Sequence, residues 1–227
     1  MTERFSPRSL DHVALWVAER EPLSTLLCDH LGMHVIEETD SFTLVGVDAK
    51  LGKLTLFDAE GPRSPGALER VVLRVRDLED AVGRLPVEIE RDSDGVVFEA
   101  PDGLRLGLVE ADGVDFDLHH VVLRLPDPDG AAGELAAMGF ERRDGHVAVA
   151  DRQVRLVEGQ ADDDGRPLLN HLAVLVESAR DVQDKAAAQG FEVDDVKDAP
   201  NTFAVFLRGP AGVRIEYVEH KPGFALV

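Results

Sequence analysis

The chain has 227 residues, 44% of them apolar, and carries a formal charge of −20 with a pI near 4.7. That length suits one large domain or two small ones with ordinary cores. A surface this poor in cations excludes nucleic acid as a partner and argues against anionic membranes, which are bound by neutralising their phosphates.

The N-terminus "MTERFSPRSL" has no apolar core of a signal peptide, and no stretch reaches the ~20 apolar residues of a membrane span, so a cytoplasmic protein is expected. Cys28 is the one cysteine, which rules out an internal disulfide and a thiolate metal cage. It lies in a helix-like stretch, "STLLCDHLG", and reads as a buried, inert thiol.

Four openings resemble one another: "LDHVALWV" from Leu10, "LERVVLRV" from Leu68, "LHHVVLRL" from Leu118 and "LNHLAVLV" from Leu169. Their starts are spaced by 58, 50 and 51 residues, a module of about four strands and one helix. Each opening is a short run rich in Val and Leu, the pattern of a buried strand. A helical stretch follows, closed by Gly32-Met33, Gly139-Phe140 and Gly190-Phe191 in modules one, three and four. Glycine suits the left-handed position that ends a helix. In module two Leu85-Pro86-Val87 stops the helix by the missing N–H of proline. Short alternating runs come next, with Ala100-Pro101-Asp102-Gly103 and Gly209-Pro210-Ala211-Gly212 as hairpin turns.

The expected fold is therefore α+β: four βαβββ modules that pair into two domains with concave mixed sheets, since a four-stranded sheet with one helix leaves a face to cover. Pairing neighbours along the chain gives an N-terminal domain over 8–112 and a C-terminal domain over 116–221, divided at "EADGVDFD", residues 110 to 117.

The third residue of the four openings is His12, Arg70, His120 and His171. Strand alternation turns this slot to the concave side and turns Asp11, Glu69, His119 and Asn170 away from it. Trp16, Arg74 and Arg124 share the inward parity and could touch an anionic or aromatic ligand. On the closing strands only module four carries a carboxylate at the fourth slot, Glu216, in an otherwise apolar run. A buried glutamate is costly unless it is paired or bound to metal. His120, His171 and Glu216 are thus the candidate ligands of the C-terminal domain, two imidazoles and a carboxylate of the kind that holds Fe(II) with positions left open. The competing reading is a buried polar cluster, with Glu216 paired to Arg214. His12, paired by this scheme with Arg70 and no carboxylate, reads as a hydrogen-bonded core residue. His30, His34, His146, His220 and the acidic run 162–164 read as surface or loop.

Four such modules, opening on "LxHV" and closing on "GVRIEYVE", resemble the vicinal oxygen chelate superfamily over about residues 8 to 220. That superfamily includes glyoxalase I, bleomycin-resistance proteins and the type I extradiol ring-cleaving dioxygenases. Among these the chain is most similar to the dioxygenases, which implies metal ligands at His120, His171 and Glu216, Fe(II) or less often Mn(II), and a catechol-like substrate cleaved with O2. The resemblance departs at three places: the family's proton-transfer histidine falls on Arg152, its tyrosine, ten residues before the glutamate, falls on Phe206, and a histidine upstream of that tyrosine has no counterpart in "VKDAPNTFAV". Arginine is no base near neutral pH and phenylalanine donates no hydrogen bond. His146 is the candidate substitute for the missing proton carrier.

Two other functions stay open. One is a different metal-dependent reaction of the superfamily, a glyoxalase, lyase, epimerase or thiol-transferase step on Zn(II), Ni(II), Co(II) or Mn(II). The other is a non-catalytic small-molecule-binding protein. In each the partner is a small molecule, with the chain a monomer or homodimer.

Overall fold

The computed structural model describes residues 5–49, 52–112, 116–161, 165–224 and 226. Module one comprises β1 (Ser9–Val17), α1 (Arg20–Thr25) with a π-turn over Leu26–His30, β2 (His34–Glu38), β3 (Phe42–Gly46) and β4 (Lys53–Asp58). Module two comprises β5 (Leu68–Val75), α2 (Leu78–Arg84), β6 (Ile89–Arg91), β7 (Val96–Glu99) and β8 (Arg105–Glu110). In module three these are β9 (Phe116–Leu125), α3 (Pro128–Ala137), β10 (Glu141–Arg143), β11 (His146–Val149) and β12 (Arg152–Glu158). In module four they are β13 (Leu169–Leu175), α4 (Ala179–Gln189), β14 (Val193–Asp198), β15 (Thr202–Arg208) and β16 (Arg214–His220). The fold is α+β, as the repeats imply.

Local chemistry explains the boundaries. Asp77, Asp127 and Ser178 cap α2, α3 and α4 by accepting the N–H three residues on. Gly32, Gly139 and Gly190 all have left-handed backbone where their helices end. The expected hairpins at 100–103 and 209–212 each contain a short 3₁₀ turn between the last two strands of their module.

The pairing of modules differs from the expectation. One eight-stranded sheet runs β14-β15-β16-β13-β1-β4-β3-β2 and joins modules four and one. The other runs β10-β11-β12-β9-β5-β8-β7-β6 and joins modules three and two. The proposed divide between 8–112 and 116–221 thus separates two modules of one sheet, for β5 and β9 are antiparallel neighbours. Residues 113–115 of that divide, like the acidic run 162–164, lie outside the described residues. The physical reason is that all four openings are interchangeable as apolar edges, so burial alone does not choose among pairings.

A continuous apolar core covers the helix-facing side of both sheets, from Val13, Leu15 and Val17 to Leu172, Val174, Ile215 and Tyr217. Tyr217, 0% exposed, ties the two units by donating its hydroxyl to the Met138 carbonyl at 2.6 Å. A smaller cluster, Ala173, Ala204, Phe206 and Val218, lies apart from that core. Among the described residues no helix is long and apolar enough to cross a membrane.

Candidate metal centre

Two β-bulges shape the middle of the module one/four sheet. Where β1 meets β13 the register passes from Leu10↔Val174 to His12↔Ala173, leaving Asp11 as an extra residue, and from Ala14↔His171 to Leu15↔Leu169, leaving Asn170 as another. A bulge breaks the alternation of side chains, so a bulged residue turns toward its neighbour's face. Asp11 Oδ1 therefore meets His12 Nδ1 at 2.7 Å, and Asn170 Oδ1 meets His171 Nδ1 at 3.0 Å. Arg214 also donates to Asn170 Oδ1, at 3.0 Å, which fixes the amide orientation. An imidazole that donates from Nδ1 presents a bare Nε2 on its other side.

Those Nε2 atoms converge with Glu216, which lies beside Ala173 in the parallel β13–β16 pair. His12 Nε2 and His171 Nε2 are 3.1 Å apart, and each approaches Glu216 Oε2, at 3.1 and 2.8 Å. An ion bonded at about 2.1 Å keeps neighbouring ligands about 3.0 Å apart in an octahedron and about 3.4 Å apart in a tetrahedron. The observed trio fits one octahedral face, with three positions left open. Glu216 Oε2 is moreover a buried oxygen that no donor meets with hydrogen-bond geometry, despite the two nearby rings. Both observations fit a divalent cation at this point.

The electrostatics agree. Burial disfavours the Glu216 carboxylate, but His171 and His12 outweigh it and hold its pKa well below the usual range. Burial likewise opposes a charge on His12, yet Glu216 and Asp11 lift that imidazole to about 9. His171 moves the other way, because burial outweighs Glu216. Asp11 stays ionised despite burial through His12, His220 and Lys53. Lys53 Nζ is 2.9 Å from Asp11 Oδ1, and His220 Nε2 is 3.2 Å from Asp11 Oδ2.

His171 and Glu216 thus stand together as expected, and the third member is His12, not His120. His12 is the residue assigned above to the core. His120 lies on β9 in the other sheet, 1% exposed, with Nδ1 2.8 Å from His119 Nδ1 and no partner for Nε2. His119 is the extra residue of the β5–β9 bulge, between Val72↔His120 and Leu73↔Leu118, so it does not turn away from its neighbour. The place matching Glu216 in that sheet, beside Val122, is Arg155. Burial first, then Arg155, His119 and Arg70, push the His120 pKa down to about 3, surroundings that repel a cation. Arg152 is buried on β12 in ion pairs with Asp117 and Asp151. His146 borders a groove of about 380 Å³ between α3 and the β10–β11 hairpin, with Nδ1 2.9 Å from the Asp144 carbonyl oxygen. Neither belongs to the sheet that carries the trio. Arg214 pairs with Asp194, at 2.6 Å, rather than with Glu216. Cys28 is half-buried, and burial and Asp29 raise its thiol pKa.

A signal for His12 was present in the sequence. Modules one and four place a side-chain oxygen acceptor before the histidine, Asp11-His12 and Asn170-His171, whereas module three has His119-His120. Phe206, the residue at the family's tyrosine position, is opposite Glu216 in the β15–β16 pair and has its ring 5.1 Å from that of His171.

Fold and trio together define a protein of paired βαβββ modules with a buried His-His-Glu cluster in the sheet shared by its first and last modules. The model of the Glyoxalase/Bleomycin resistance protein/Dioxygenase superfamily matches residues 9–217, and the chain belongs to that superfamily. Similar solved structures include a putative dioxygenase from Bacillus subtilis subsp. subtilis str. 168, 20% identical, covering 97% of this chain and 88% of that one with a TM-score of 0.77. Glyoxalase I from Zea mays is 15% identical, covering 93% and 92% with a TM-score of 0.69. The cppA protein from Streptococcus pneumoniae TIGR4 is 16% identical, covering 94% and 98% with a TM-score of 0.63. At these identities the likeness is one of fold. No curated protein matches the sequence.

Proposed function

We propose that the chain is a metal-dependent enzyme of extradiol dioxygenase type, with Fe(II) held by His12, His171 and Glu216 and a catechol-like small molecule as substrate. The observation that carries this is the facial spacing of two Nε2 atoms and one carboxylate oxygen, 2.8 to 3.1 Å apart in a buried site. Two histidines and one carboxylate on a face suit non-haem Fe(II) oxygenases. When bound, the ion supplies Lewis-acid polarisation of two adjacent substrate oxygens and one-electron chemistry toward O2.

The chain's own residues do the positioning. Asp11 and Asn170 hold both rings with Nε2 turned to the ion. Phe206, packed edge-on against His171, keeps water from one side of that ligand. Phe57, its ring 6.3 Å from His171, and Trp16, 5.5 Å from Phe57, offer flat apolar surface to an aromatic ring. Lys53 and His220 both contact Asp11, behind the His12 ring, at 2.9 and 3.2 Å.

The test is anaerobic reconstitution with Fe(II), metal analysis, and exposure to a panel of catechols with O2. Uptake of O2 and a yellow ring-fission chromophore are expected. Iron-loaded protein that cleaves no catechol overturns the reading. Zinc or nickel copurifying in place of iron favours a lyase or isomerase step at the same ligands.

A further inference from the structure

Arg63 differs from the arginines of the module two/three sheet. There Arg70 pairs with Asp92, Arg74 with Asp117, Arg124 with Glu69 and Arg155 with Asp94. Arg63 meets no carboxylate among the described residues, although the chain holds 44 Asp and Glu. Its Nε is buried without a hydrogen-bond partner, as are those of Arg70 and Arg74, but no carboxylate among the described residues compensates it, and its guanidinium lies 5.7 Å from the centre of the Trp16 ring. Partly desolvating a guanidinium without a counter-charge is unfavourable, and an arriving anion reverses that cost.

The position is built. Ser64 bridges to Pro167, and its carbonyl accepts from Leu168 N–H at 2.6 Å. Gly66 has φ +62, and a Cβ there would come 2.8 Å from Pro167 Cβ, so the loop carrying Arg63 is pressed against the entry to β13. Trp16 shares the strand face of His12, because no extra residue interrupts β1 between them. Four residues at about 3.3 Å each set it about 13 Å along the strand from His12. His171, Phe57, Trp16 and Arg63 form a continuous series running outward from the trio.

We propose that Arg63 is a specificity-determining residue that binds the carboxylate of an aromatic substrate whose ring lies against Phe57 and Trp16. A carboxylate is the fitting oxyanion because a single guanidinium matches it with two parallel hydrogen bonds. The substrate class is then an aryl compound with chelating oxygens at one end and a carboxylate on a short chain at the other. This rests on the metal-centred reading above for where the chelating end sits.

Trp16 is the one tryptophan of the chain, so its fluorescence reports binding beside Arg63. The test titrates metal-free protein with 3-phenylpropionate and with its neutral amide, with calorimetry as a second readout. The wild type is expected to bind the carboxylate at least tenfold more tightly than the amide. Arg63→Gln should bring both to the same affinity, leaving that of the amide unchanged, and Arg63→Lys should restore part of the difference. Equal affinities in the wild type, binding of neither compound, or a preference that survives in Arg63→Gln overturns the proposal. Catechol titrated with and without anaerobic Fe(II) tests the metal reading separately, because only failure of that reading leaves catechol affinity independent of iron.

Discussion

Replacing His12 by glutamine, with His120→Gln as its counterpart, tests the metal centre at the residue where the expected module pairing and the structure disagree. The trio is three ligand atoms 2.8 to 3.1 Å apart, and His12→Gln leaves His171 Nε2 and Glu216 Oε2. Four-ligand zinc sites bind with about 10–16 kcal/mol, or about 3–4 kcal/mol per ligand, which is a loss of about 100- to 1,000-fold in affinity when one goes. His120→Gln should leave the affinity within about twofold, since that ring belongs to the other sheet. Equilibrium dialysis against Fe(II) under anaerobic conditions, or against Zn(II), gives both constants, and far-UV circular dichroism confirms that each variant is folded. An ion retained by His12→Gln at wild-type affinity, or released by His120→Gln, refutes the assignment.

Asp11→Asn should weaken metal binding by about 10- to 100-fold in the same dialysis while leaving the stoichiometry at one, because it loosens His12 without removing a ligand. Ala211 has φ 51 and ψ 28, a left-handed conformation that costs an L-residue about 1 kcal/mol, so Ala211→Gly should raise Tm by about 1–4 °C in a thermal melt. A lower Tm would show that the turn is held by something other than backbone preference. His120 supplies a pH test. The unfolded chain takes up this proton below about 6.5 whereas the folded chain holds the ring neutral down to about 3, so stability falls as pH drops through that window. Urea melts at pH 7.5 and pH 5 should show His120→Gln losing about 1 kcal/mol less than the wild type across that interval, after allowance for residual solvent screening. An identical loss in both proteins would rule out His120 as a contributor.

The repeat was legible because each module states itself several times over, in an apolar opening, a helix closed by glycine or proline, and paired turns. Gly32, Gly139 and Gly190 take the left-handed backbone that their place after a helix requires. Glu216 was legible for the opposite reason, as a charge where the pattern demands hydrocarbon. Module pairing was not, because β5 presents the same kind of apolar edge as β1 and β9 the same as β13. Side-chain direction failed where alternation fails: Asp11, His119 and Asn170 are each one residue too many for their partner strand, and no count of odd and even positions registers a bulge. Two of those extra residues, Asp11 and Asn170, supply the oxygen acceptors behind His12 and His171.

The union of the outer modules has a consequence for biosynthesis. Glu216 follows His12 by 204 positions, so a nascent chain cannot assemble the trio until its fourth repeat emerges. Loop closure over such a span is slow compared with local pairing. Modules two and three, whose β8 and β9 are close in sequence, can form their sheet before the two outer modules meet. A chain that stops before β16 would carry His12 and His171 without Glu216, two of the three members of the trio.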